Sequence, residues 1–159
     1  MKTVAEELQT NGTLTYLSLN QNKFGIEGTK TLCEALQKNA TITQLDLFGI
    51  IFIFSPPNKT KQNKKSLKNT SFFLDCGIGD EGAPYLGMML EINFGITKID
   101  LRNNNLGHDG VDAIFGALVS NDSVRTLNIS DNPVGPAGAK AIANHLSSNN
   151  ALSNLDLSC

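Results

Sequence analysis

Three cysteines, two histidines and one glycine-rich hexad are the parts of this sequence that could do chemistry. Cys33, Cys76 and Cys159 could serve as thiolates or metal ligands, and His108 and His145 could move protons. Gly77-Ile78-Gly79-Asp80-Glu81-Gly82 spells GxGxxG between a strand-like and a helix-like stretch, which is the pattern of a dinucleotide phosphate loop. Each candidate weakens against its surroundings. The cysteines share no metal-ligand spacing. Neither histidine has a Cys, Asp or His partner fixed by local spacing. Asp46, Asp100 and Asp156 recur at one strand position, a column on an exposed face rather than a close acid–base pair. The expectation is therefore no catalytic residue, no cofactor and no metal.

Bulk properties narrow the class. The chain has 159 residues and a net charge of 13 − 15 = −2, which suits one domain and argues against nucleic-acid binding. No apolar run approaches the roughly 20 residues of a membrane span. The opening MKTVAEELQTNGT lacks the apolar stretch of a secretory signal, so a cytoplasmic location with reduced thiols is expected.

The elements that must position these residues follow a period. Blocks begin at Leu14, Ile96 and Val124, with apolar, glycine and asparagine residues at matching offsets. The last two starts set the period, 124 − 96 = 28. Another block begins at Ile42, but the next start lies 96 − 42 = 54 further on, an excess of 54 − 28 = 26. Removing Ile50 to Asp75 restores the register as ITQLDLFGCGIGDEGAPYLGMMLEINFG. The chain thus divides into a half repeat (1–13), repeats at 14–41, 42–95, 96–123 and 124–151, and a partial repeat (152–159).

Within a block, LxxLxL alternates as a short strand does, and apolar residues four apart mark a helix. The core offsets hold Leu14, Leu17, Leu19, Phe24, Leu32 and Leu36 in the first block, and aliphatic residues at every matching position of the others. One strand–helix unit cannot bury that face alone, so the units must stack.

The string LxxLxLxxNxhGxxGxxxLxxxLxxN, with h apolar, resembles the leucine-rich repeat of the ribonuclease-inhibitor type, found also in NOD-like receptors and Ran GTPase-activating proteins. The resemblance implies an α/β solenoid, with parallel strands on a concave face and helices on a convex one. It also implies that Asn22, Asn104 and Asn132, with Cys76 standing in for the fourth, point inward and bond the backbone of neighbouring turns. Gly25, Gly79, Gly107 and Gly135 recur, as do Gly28, Gly82, Gly110 and Gly138, so repeat geometry explains two glycines of the GxGxxG string. Asn11, Asn39, Asn93, Asn121 and Asn149 follow the helices, where a left-handed turn residue is expected. Asn39 and Asn121 lie in N-x-S/T strings and read as turn residues, not glycosylation sites.

The residues alternating with the strand leucines should face a protein partner. They are Tyr16, Ser18 and Asn20; Gln44, Asp46 and Phe48; Lys98, Asp100 and Arg102; Thr126, Asn128 and Ser130. Asn154, Asp156 and Ser158 continue the columns. Tyr16, Phe48 and Arg102 are the types that most often dominate binding. The expected function is a protein-interaction module, a fragment of a longer array whose uncapped ends could pair end to end. Two alternatives stand beside it. The chain could regulate a Ran-like small GTPase, since LRNNNLG at 101–107 is similar to an asparagine-bearing turn of that family, or it could be a truncated product with no independent function.

The excess segment supports a separate reading. Ile50 to Leu74 holds 3 Ile, 4 Phe, 5 Lys and 3 Asn, so more than half of the stretch has A- and T-rich codons. Gly49-Ile50 can be encoded with a GT, and Phe72 to Asp75 with a pyrimidine tract and AG. A retained intron is the expectation, and a genuine basic loop for acidic partners is the rival.

Overall fold

The computed structural model describes residues 1–49 and 77–159. The insertion at 50–75 and Cys76 lie outside these residues. Helices and strands alternate: α1 (Lys2–Leu8), β1 (Tyr16–Ser18), α2 (Gly25–Leu36), β2 (Gln44–Asp46), α3 (Gly79–Leu90), β3 (Lys98–Asp100), α4 (His108–Leu118), β4 (Thr126–Asn128), α5 (Gly135–Leu146) and β5 (Asn154–Asp156). The strands form one parallel sheet in the order β1-β2-β3-β4-β5. Leu17, Leu45, Ile99, Leu127 and Leu155 pair in one row across it. Each described helix packs against its sequence neighbours. This is the α/β solenoid that the period demanded.

The core lies between sheet and helices. Ile42, Leu45, Leu47, Ile96, Ile99, Leu101, Leu106, Ile114 and Val124 are all almost fully buried. Burial fades toward both outer units. Leu19, Phe24, Val134 and Leu146 are only partly buried, and Leu14, expected in the core, is 37% exposed. The physical reason is that, among the described residues, β1 has a paired strand on one side only.

Asn132 and Asn104 each bond backbone groups of a neighbouring unit. Asn132 donates to Leu101 O at 3.0 Å and accepts from the Asn104 and Leu106 amides. Asn104 donates to Leu47 O at 2.8 Å and accepts from the Ile78 amide. Asn22 departs from them. It is exposed and bonds Leu19 O and Asn20 O within its own turn.

The asparagines after the helices correct an expectation. None has a positive φ; among the described residues the left-handed ones other than glycine are Gln21, Asn103, Asn105 and Asp131. Asn39, Asn93 and Asn121 are instead buried and form a second ladder. Asn93 donates to Leu36 O and Asn39 O, and its Oδ1 accepts from the Gly95 and Ile96 amides. Asn121 repeats this pattern one turn on, with Leu90 O, Asn93 O and the Ser123 and Val124 amides. Asn149 joins it by donating to Leu118 O. The turn between helix and strand leaves backbone groups that need partners, and these amides satisfy both sides at once.

The glycines of the GxGxxG string each have a structural duty. Gly79 sits at φ +63°, and a Cβ on Gly77 would stand 2.7 Å from Asn104 O. A Cβ on Gly82 would meet Ile78 at 2.9 Å.

Candidate interaction surface

The strand face presents two columns, set by parallel register. Tyr16, Gln44, Lys98, Thr126 and Asn154 form one, and Ser18, Asp46, Asp100, Asn128 and Asp156 the other. Tyr16 is 51% exposed. Ser18, Gln44 and Lys98 are also exposed, while Asn20, Asp46, Phe48, Asp100, Arg102, Thr126 and Asn128 are half-buried.

Ser130 departs from expectation: it is buried. Its carbonyl accepts from the Asn103 amide, while the Asp131 amide reaches Ser158 O on the far side.

Two clusters gather the expected contact residues. In the first, Tyr16 Oη donates to Asp46 Oδ2 at 3.3 Å, and Asn20 Nδ2 donates to the same oxygen at 2.7 Å. The Phe48 amide donates to Asp46 Oδ1. In the second, Arg102 Nε donates to both oxygens of Asp100 at 2.9 Å, and its Nη2 lies 2.7 Å from Oδ2. Its guanidinium stands 5.0 Å from the centre of the Phe48 ring. The hydrogen bonds to Asp100 hold the Arg102 pKa above its ordinary value. The clusters hold the Arg102 and Tyr16 side chains in place on this face. Farther along, Asn128 donates to Asp156 Oδ2, and hydrogen bonds from Ser158 hold the exposed Asp156 carboxyl below its usual range. Asp46 and Asp100 stand side by side in register, and a polar depression continues over β3, β4 and β5.

The buried Cys33 does not join this surface. Burial, and then the Glu34 charge, pushes the Cys33 thiol up to about 12, so it stays protonated and unreactive. Cys159 is exposed. His145 pairs with Asp112 across α5 and α4 at 2.9 Å. Among the described residues no His, Cys, Asp or Glu group could hold a metal. No described helix is long and apolar enough to cross a membrane.

A family model described as leucine-rich repeat matches residues 10–33, 93–115 and 120–143. Those segments are leucine-rich repeats, and the chain has the leucine-rich-repeat fold. Its parallel register and asparagine ladders agree with that repeat, and the ribonuclease-inhibitor type is consistent with it. Solved structures share the fold of this leucine-rich repeat protein. Leiomodin-1 actin-binding site 2 aligns at TM-score 0.73 and 21% identity, over 98% of this chain and 77% of that one. The tropomodulin C-terminal domain of Caenorhabditis elegans aligns at TM-score 0.72 and 14% identity, over 99% and 81%. A comparison with curated proteins finds no match.

Sequence reasoning missed one surface feature of this repeat array. Met88, near the end of α3, and Ile92 and Phe94, just past it, are large exposed apolar residues. Comparing the two outward positions after each helix would have found Ile92 and Phe94, because both are apolar and bulky only in this unit.

Proposed function

We propose that this leucine-rich repeat protein is a non-enzymatic interaction module that binds a protein partner through its strand face. Tyr16, Phe48 and Arg102 carry the contact in this reading, with the other column residues setting its polarity. The observation behind it is the pre-ordering of Arg102, gripped by Asp100 and stacked near Phe48 on one accessible face. An arginine held in this way offers its remaining donors at little entropic cost. The cytoplasm is the compartment this reading assumes.

The test is capture from cell extract by the intact chain and by a triple Tyr16→Ala, Phe48→Ala, Arg102→Ala variant. The variant should lose at least about 90% of the captured partner, since hot-spot truncations each cost about 2 kcal/mol or more. Unchanged capture overturns the strand-face reading. Purified actin enters as a direct arm because one similar structure is described as an actin-binding site. A Ran-like GTPase enters as a second arm, scored by accelerated GTP hydrolysis, which would replace the non-enzymatic reading.

We also propose that 50–75 interrupts an otherwise ordinary second repeat and is retained intron sequence. The flanks support this. Asn104 donates to Leu47 O before the segment and accepts from the Ile78 amide after it, and Gly79 N–H reaches Asn104 O. Both flanks therefore lie against one turn. Closing a loop of about 32 rather than about 6 residues costs roughly 1.5 kcal/mol. Deleting 50–75 should thus leave the circular dichroism spectrum unchanged and raise the unfolding free energy slightly. A deletion variant that fails to fold would show that the segment belongs to the domain.

A further inference from the structure

The turn after each of α2 to α5 carries two outward positions, two and four residues past the helix end. They hold Lys38 and Ala40 after α2, Ile92 and Phe94 after α3, Ser120 and Asp122 after α4, and Ser148 and Asn150 after α5. All eight are exposed. Ile92 is 55% and Phe94 57% exposed, and Met88, one helical turn before Ile92, adds 48%. Three bulky apolar side chains so close together form a patch that water does not favour.

The patch has ordered neighbours. The second asparagine ladder stacks the three turns, with Asn93 bonded to Asn39 O and Asn121 bonded to Asn93 O. One depression is lined jointly by Lys38, Ala40, Ile92 and Phe94. The rim therefore reads cation, apolar pair, anion: Lys38, then Ile92 and Phe94, then Asp122. The hydrogen bond that Lys38 makes among the described residues goes to the neutral Gln9 Oε1, at 3.2 Å.

A strip that carries opposite charges on either side of an apolar centre is complementary to itself after a half turn. A two-fold axis through the centre sets Lys38 of one copy against Asp122 of the other, twice, and stacks the apolar pairs. A third protein would need a matching strip of its own; a second copy already has one. We propose that this rim is a two-fold self-association surface, with Ile92 and Phe94 at its centre and Lys38 and Asp122 as its flanking ion pairs. Three apolar side chains per copy make an interface at the small end of the known range, so the pairing is reversible and depends on concentration.

Sedimentation velocity of the full chain across a concentration series tests this. The wild-type chain should show a reversible monomer–dimer equilibrium. Ile92→Ser with Phe94→Asn, close to the polar types of the fourth unit, should weaken it at least about tenfold. Lys38→Asp or Asp122→Lys alone should weaken it by about tenfold, because a two-fold axis counts each repulsion twice. The two together should restore it. Circular dichroism confirms that each variant folds. The strand-face triple variant should dimerise normally, which keeps this proposal separate from partner capture. A chain that stays monomeric, an association that survives loss of Ile92 and Phe94, or a charge swap that fails to restore pairing would each overturn it.

Discussion

Asn93 illustrates how much one side chain can do. Its amide donates at 2.7 and 3.0 Å to two carbonyls of the preceding unit, and its Oδ1 takes two amides of its own turn, both at 3.0 Å. Alanine would remove the partner of Asn39 O and of the Gly95 and Ile96 amides, and leave Leu36 O with only the Asn39 amide at 3.3 Å. Each such group costs about 1–3 kcal/mol, less whatever water can enter. Asn93→Ala and Asn121→Ala should therefore each lower the unfolding free energy by about 2–4 kcal/mol in urea titrations. Asn22→Ala should cost under about 1 kcal/mol, because Asn22 is exposed and serves its own turn. Equal losses at Asn22 and Asn93 would mean that bridging between units is not the source of the stability.

At the scale of an element, α4 is capped by its neighbour. No side chain of its own turn caps it. Asp80, in the first turn of α3, accepts from the Gly107 amide at 2.6 Å and the Gly110 amide at 3.0 Å. A carboxylate there satisfies free N–H groups and meets the positive end of the helix dipole. Ile26, His108 and Pro136 hold the matching position in the other units, so this cap is particular to α4. Asp80→Ala should lower stability by about 0.5–2 kcal/mol. Gly110→Ala should also destabilise, although alanine is ordinarily the better helix former. Its Cβ would stand 2.4 Å from Asp80 Oδ1 and push the cap away. The double variant should then cost less than the sum of the two singles. Additive losses in thermal or urea unfolding would separate the clash from the cap.

Across the whole molecule, stability should vary along the array. Each described helix meets its sequence neighbours, which makes the solenoid close to one-dimensional. Among the described residues the inner strands have partners on both sides, while β1 and β5 have one each. Leu101 is fully enclosed and its amide donates to Asn128 O at 2.8 Å; Leu19 is only partly buried, though its amide donates to Asp46 O at 2.9 Å. The hydrogen bonds are alike and the surroundings differ. Native-state hydrogen exchange should be slower at Leu101 than at Leu19 by at least about tenfold, because the outer unit opens without the rest. Uniform protection would indicate a single cooperative unit instead.

The repeat itself was legible because strand and helix periods each leave an apolar signature, and a solenoid copies that signature at fixed spacing. Leu45, Ile99 and Leu127 could be aligned by eye, and their pairing follows from that alignment. The columns that carry Tyr16 and Asp46 follow from the same alternation. The polar partnerships did not. Asn93 looks like a turn residue until Leu36 O is beside it, and Ser130 looks exposed yet is buried, with the Asn103 amide of the neighbouring unit on its carbonyl. Asp80 reads as an ordinary helix-start acid until α4 packs alongside. In each case the partner lies in a neighbouring unit, and a hydrogen bond depends on ångström-scale placement that apolar burial does not require. The pattern of residues dictates that the units stack and which apolar side chains turn inward, because burying apolar area is non-directional and periodic. Which polar group satisfies which backbone emerges only once the units are packed, because that depends on direction and distance between them.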